Sequence, residues 1–383
     1  MRFRAAAVLA IAAVFGSAQL AAQQTPPAAP TIDFSGLLFG SFQYRTDSAA
    51  KAQTGGKPPN KFDVERVYLT FRMPAGDKTS IRITTDIFQN TAAGFYSGWA
   101  VRLKYGMVSR ELSKNTFGVS GLTSVARVGM LQTVVIDHVE SHWPRSLGVS
   151  ALERAGFFSS SDVGAATLFT LPNKRGEIYA TVMNGSGYTV GENDRFKDVA
   201  VRATFTPFAN RNSMIKSLSV TPWYSKGSSA SAFILGGGAQ VGPVSEGLQK
   251  DRRGLFVALR DRRLTGAFEF AQRAEGIETG NNTVTAPRVV TDRTSNLVSV
   301  FALVRPMEWL NKNKPSRFGI LIRNDNFKID NSVSPATRFS VLGAFWDLNA
   351  KSTITLDVQS LDRLSGSTAI PFRTLFVHWK ADF

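Results

Sequence analysis

The chain has 383 residues, 43% of them hydrophobic, no cysteine and a formal net charge of +16. Without cysteine there is no disulfide framework and no thiolate chemistry, so a large core or a closed backbone network must hold the fold. The arginines and lysines are dispersed at strand spacing and form no single patch, which excludes nucleic acid as the expected partner.

Arg2 and Arg4 precede an apolar run from Ala5 to Phe15, and the small residues of "SAQLAAQ" follow. This is the pattern of a secretory leader, 1–22, cleaved after Ala22. The apolar run is shorter than the roughly 20 residues that a spanning helix needs. A Pro-rich spacer occupies 23–31, and 32–383 reads as one domain without a break in composition.

From Ile32 onward the chain is built of segments of about ten residues in which apolar and polar positions alternate, the signature of barrel strands. In "VERVYLTFR", Val67, Leu69 and Phe71 take one face and Arg66, Tyr68, Thr70 and Arg72 the other. "SIRITTDIF" separates Ile81, Ile83 and Ile87 from Arg82, Thr84 and Asp86. "WAVRLKY" sets Trp99, Val101, Leu103 and Tyr105 against Arg102 and Lys104. About sixteen such segments are expected, near 32–45, 61–73, 79–89, 98–109, 123–132, 163–171, 175–185 and 197–207 in the first half. The second half continues near 216–226, 252–262, 264–275, 294–306, 314–326, 336–348, 351–362 and 371–383.

The connections alternate in length. Short ones are expected at 74–78, 172–174, Arg263 and 349–350, and long ones at 46–60, 133–162, 186–196, 227–251 and 276–293. The connection at 110–122 is long for its place. No water satisfies backbone groups in hydrocarbon, so a β-protein there must close its sheet. The predicted fold is therefore all-β, a transmembrane antiparallel β-barrel of about 16 strands. The last segment, "RTLFVHWKADF", alternates up to Phe383, as closure against the first strand requires.

A mid-strand Arg or Lys facing lipid costs roughly 2–4 kcal/mol. Alternation therefore assigns Arg66, Arg72, Arg82, Arg102, Lys104, Arg202, Arg260, Arg273, Arg323 and Lys380 to the lumen. Asp86, Glu269, Asp325, Asp357 and Asp382 join them, so the lining leans cationic. Such a lining concentrates anions. The alternative is that each arginine pairs with an acid across the strands and stiffens the wall.

"FDVERVYLTFR" (62–72) resembles the second strand of the phosphate-selective porin O and P family. "IYATVMNGSGYTVGENDRFKDVAVRATFTPF" (178–208) is similar to that family's most recognisable stretch, on Asn184, Gly185, Glu192, Asn193, Asp194, Lys197, Asp198, Val199, Arg202 and Pro207. In "RVGMLQTVV", Gly129 and Thr133 match a Gly-x-x-x-Thr-Pro pattern, but Val134 stands where proline is common. The terminal aromatic resembles the assembly signal of bacterial outer-membrane proteins. The resemblance implies a sixteen-stranded, trimeric outer-membrane porin that passes anions, phosphate among them. It also implies that the long loop at 133–162 folds inward and narrows the channel with Asp137, His138, Glu140, His142 and Arg145, with Glu153 and Arg154 on the same loop; the alternative is a solvated external loop.

The expected partners are small anions or other hydrophilic solutes, outer-membrane lipid and two further copies of the chain. No catalytic residue, metal or cofactor is expected. "HVESH" spaces His138 and His142 for one helical face but lacks a third ligand. "LGGGAQVG" (235–242) has no strand-to-helix context for a phosphate cradle and reads as an external loop. Two rival readings are a barrel enzyme that hydrolyses lipid through His378 at the wall, and a secreted, soluble β-sandwich that binds glycans.

Overall fold

Alternation fixes the face each strand residue takes, and pairing fixes the neighbours it meets there. The computed structural model describes residues 31–90, 98–192, 194–230, 247–280, 288–311, 314–332, 336–364 and 369–383. The leader, almost all of the spacer and the 235–242 stretch lie outside the described residues. The first eight strands are β1 (Asp33–Arg45), β2 (Asn60–Pro74), β3 (Thr79–Asn90), β4 (Gly98–Ser113), β5 (Thr123–Gln132), β6 (Ser161–Thr170), β7 (Gly176–Met183) and β8 (Asp198–Phe205). The others are β9 (Ser219–Ala230), β10 (Gly247–Arg260), β11 (Leu264–Thr279), β12 (Val289–Val304), β13 (Phe318–Lys328), β14 (Ala336–Asp347), β15 (Ser352–Arg363) and β16 (Phe372–Asp382). Each pairs antiparallel with its chain neighbours, and β1 pairs with β16, so the sheet closes. A closed single sheet rules out the two-sheet sandwich.

Every predicted segment is a strand. The largest differences are at the loop end of β10, β11 and β12, which run past the predicted limits to Gly247, Thr279 and Val289. There Lys250, Glu275 and Arg293 form one cross-strand row while Asp251 and Asp292 lie in the opposite phase, so polar residues occupy both faces and the alternation signal is lost. β4 runs on to Ser113, which shortens the connection that looked too long to 114–122. The short turns 75–78, 171–175, 261–263 and 348–351 share one end of the barrel, but so do the longer connections 206–218 and 305–317. The latter carries the helical turn Met307–Leu310, whose buried Glu308 pairs with Arg262.

Two β-bulges re-aim side chains. Phe39 pairs with Arg66 and Gly40 with Val64, which leaves Glu65 as an extra inward residue. Thr84 pairs with Tyr105 and Thr85 with Leu103, which leaves Lys104 as the extra one. The second bulge corrects the face assigned to Tyr105. It points inward beside Lys104 and is 3% exposed, because one inserted residue flips the phase of everything beyond it. Phe268, Phe270 and Ile320 face outward and are exposed, as the alternation predicts.

Gly40 sits at the first bulge. A Cβ there would lie 2.3 Å from the Asp63 carbonyl oxygen and 2.5 Å from the Trp379 ring. Gly40→Val should therefore weaken the β16–β1–β2 seam by about 1–3 kcal/mol. The check is the temperature at which the folded band disappears in a gel heat-shift assay. An unchanged temperature would contradict this packing.

Candidate functional site

The connection 133–160 does not stay outside. Its apolar residues turn into the barrel, with Val135, Ile136, Leu152 and Phe157 fully buried and Trp143 nearly so. They pack on inward residues of β9–β14, among them Trp223, Phe256, Leu297, Phe301, Leu321 and Phe339. Burying each large side chain contributes about 1.5–3 kcal/mol. Within the loop, Ser150 caps the turn Ala151–Arg154 by accepting from the Glu153 N–H at 3.2 Å.

Four of the predicted lumen arginines grip this loop by its carbonyls. Arg202 Nε donates to Val134 O at 2.9 Å, and Arg260 Nη1 to Ser141 O at 2.8 Å. Arg273 Nη1 donates to Ala155 O and Gly156 O at 3.1 and 3.0 Å, and Arg323 Nη1 to Val149 O at 2.9 Å. Three of the four also pair with acids: Arg202 with Glu177 at 2.6 Å, Arg273 with Glu275 at 3.4 Å and Arg323 with Asp325 at 2.7 Å. They are inward and position the loop; Arg260 also borders a cavity.

His138 and His142 belong to the same anchor. His138 Nδ1 accepts from Arg202 Nη1 at 2.8 Å, which leaves Nε2–H to donate to Thr221 Oγ1 at 3.1 Å. Both nitrogens are thus engaged and neither is left for a metal. Burial, and then the Arg202 charge, push the imidazole down to about 2, so it is neutral in this contact. Burial also lowers His142.

The other predicted lumen residues, except Lys380 on β16, gather on β2–β4, across from the loop's polar edge. Asp86 is fully buried between Arg102 at 2.7 Å and Arg66 at 3.5 Å, and both guanidiniums lie over the Phe88 ring at 4.0 and 5.3 Å. Arg102 also donates to Tyr188 Oη at 3.0 Å. Below them Lys104 Nζ stands 4.2 Å from the Tyr68 ring and Arg82 lies 4.4 Å over Tyr105. Neither Lys104 nor Arg82 forms an ion pair among the described residues. Arg72 pairs with Asp33 at 3.6 Å on the turn-end rim, and Lys380 with Asp382 at 2.8 Å.

Facing this strip, Arg145 donates from Nη1 and Nη2 to Glu153 at 2.6 and 2.9 Å, also binds Glu140, and donates from Nε to Tyr68 Oη at 3.1 Å. Asp137 lies 3.5 Å from Tyr105 Oη. Burial, opposed by Arg145, leaves the Glu140 carboxyl above its ordinary range. Arg145 borders cavities on both sides: about 490 and 390 Å³ toward the loop end, and about 520 Å³ toward the turn end. It therefore lies between them. His378 faces the lumen, 3.1 Å from Asp357 and 3.8 Å from Glu65, and not the outer wall that the lipid-hydrolase reading needs.

Tyr68, Tyr105, Tyr188 and Phe88, which carry the cations of this strip, were not singled out in the sequence; nor was Arg252, which borders the larger loop-end cavity. The inward phase of Tyr68 was legible, but its role was not.

An anion-selective porin from Comamonas acidovorans aligns with a TM-score of 0.61 at 12% identity, over 93% of this chain and all of that one. The fold is that of a porin. OmpF from Salmonella typhi aligns at 0.60 with 13% identity, over 92% of this chain and 97% of that one. The outer-membrane channel DcaP of Acinetobacter baumannii aligns at 0.58 with 10% identity, over 95% and all of the respective chains. At these identities the likeness is one of fold. No family model matches the sequence, and no curated protein does.

The carbonyl grip predicts a fixed loop. Arg273→Gln, which removes donors to Ala155 and Gly156, should loosen the loop and raise open-channel current noise in planar bilayers. A hydrogen bond from a charged donor is worth about 1.5–3 kcal/mol, enough to shift the loop's local equilibrium at least tenfold. Noise equal to that of the unaltered protein would show that these bonds do not hold the loop.

Proposed function

We propose that the chain is an outer-membrane porin, exported by a leader cleaved after Ala22 and assembled as a homotrimer. It would admit small hydrophilic solutes and favour anions. The observation that carries this reading is the strip on β2–β4, where Lys104 and Arg82 border a cavity and form no ion pair among the described residues. Arg66 and Arg102 share the single carboxylate of Asp86, which leaves further positive charge in the same strip. Basic side chains so placed replace part of an anion's hydration and pass it on, with no bond made or broken. Tyrosine hydroxyls at Tyr68, Tyr105 and Tyr188 add donors along the same path. Arg72 and Lys380, each paired with an acid, stand at the turn-end mouth, which this reading places in the periplasm.

The family resemblance at 62–72 favours phosphate or a related oxyanion, since that segment supplies Arg66 and Tyr68. The stretch at 178–208 contributes Arg202, a loop anchor, and Asp198, which pairs with Lys250 at 2.8 Å. Asn193 lies outside the described residues. The enzyme reading has no support at His378, which is enclosed by carboxylates on the inner face.

Lys104→Gln should lower the anion-to-cation permeability ratio roughly twofold or more, because it removes a full charge from a narrow, low-dielectric passage. Lys104→Arg should keep most of it. Bi-ionic potentials across planar bilayers read the ratio. An unchanged ratio in the Gln variant would remove Lys104 from the path.

A further inference from the structure

The outward face of β9–β14 carries a polar patch where the neighbouring rows are apolar. Arg253, Gln272, Asn296 and Lys328 are successive cross-strand partners on β10–β13. Arg253 donates from Nε and Nη2 to Gln272 Oε1 at 3.0 and 2.5 Å, and Gln272 Nε2 donates to Asn296 Oδ1 at 3.1 Å. A second set continues it: Arg338 Nε donates to Asn326 Oδ1 at 3.3 Å, Asn326 to Asn324 at 2.8 Å and Asn324 to Ser340 Oγ at 2.8 Å. Toward the turn end the same face becomes Leu255, Phe270, Val298, Ile322 and Leu342.

The patch carries more cations than acids. Lys226, Arg253, Lys328 and Arg338 are exposed on this face and form no ion pair among the described residues, although Asp251 and Asp362 are the cross-strand partners of Lys226 and Arg338. Asp251, Asp292 and Asp362 oppose them, fewer than the cations, and Asp251 already accepts from Gln249 at 2.9 Å. No Asp or Glu faces outward on strands β1–β8 among the described residues, so that face of a second copy offers the patch no matching charge. A guanidinium facing lipid is costly at the bilayer centre and nearly free at its edge. The break from apolar to basic rows therefore marks the headgroup level, where phosphates lie and where each basic residue adds to attraction.

We propose that this patch binds the phosphate groups of membrane lipids at the loop end of the barrel. The guanidiniums would donate in pairs to phosphate oxygens, and the amide network would hold them in place. The inference rests on the membrane-embedded reading above and is independent of ion selectivity.

Native mass spectrometry of the folded full chain in detergent tests it, with dioleoylphosphatidic acid and dioleoylglycerol as probes that share acyl chains and differ in the phosphate. The unaltered protein should retain the phosphatidic acid in preference. Arg253→Gln with Arg338→Gln should lose roughly tenfold or more of that affinity, while the paired Lys variant keeps most of it. Excess inorganic phosphate should not displace the lipid. Equal retention of the two lipids, unchanged affinity in the Gln variant, or displacement by free phosphate would each overturn the proposal. So would a Gln variant that alters only the oligomer mass, since the face would then be a subunit contact. A chain with no folded, heat-shifted band defeats the membrane reading itself, whereas a folded barrel blind to phosphate defeats only this inference.

Discussion

The pairing of β1 with β16 is the contact on which everything else depends. Without it the sheet has two open edges, and in hydrocarbon an open edge leaves a row of backbone groups without partners. With it, inside and outside become distinct, and each inward side chain must be solvated, paired or packed. The seam is tight: Gly36 exchanges both backbone hydrogen bonds with Phe383, at 2.8 and 2.9 Å, and the bulge at Glu65 is fitted around Gly40.

Closure creates a lumen too wide for wall side chains alone to fill, and the chain packs its own loop against one side of it. The wall divides its labour accordingly. On β9–β14 it offers Trp223, Phe256, Phe301 and Phe339 to the loop's apolar side, and arginines to its carbonyls. On β2–β4 it offers cations braced by aromatic rings to the open side. The same residue type thus does two jobs. A guanidinium beside loop backbone is consumed as a donor, while Lys104, set by a bulge over Tyr68, borders a cavity and forms no ion pair among the described residues.

Much of this was legible in the alternating pattern. It placed all sixteen strands. It failed at Tyr105, because a bulge at Lys104 shifts the phase and nothing in "WAVRLKY" announces it. It also could not separate Arg202 from Arg102, since alternation gives a face and says nothing of what lies across the lumen. A clue to that division stood in the loop itself. "TVVIDHVESHWPRSLGVSALERAGFF" is too rich in Val, Leu, Trp and Phe for a solvated external loop, and its apolar side had to find a wall.

The most direct measurement is the reversal potential of single channels of the unaltered protein in a planar bilayer under a KCl gradient. A potential of the sign set by chloride would agree with a passage governed by Lys104, Arg82 and the Arg66–Arg102 pair. A potential of the sign set by potassium would mean that Glu140, Glu153 and Asp137 on the loop govern the passage, and would contradict the account.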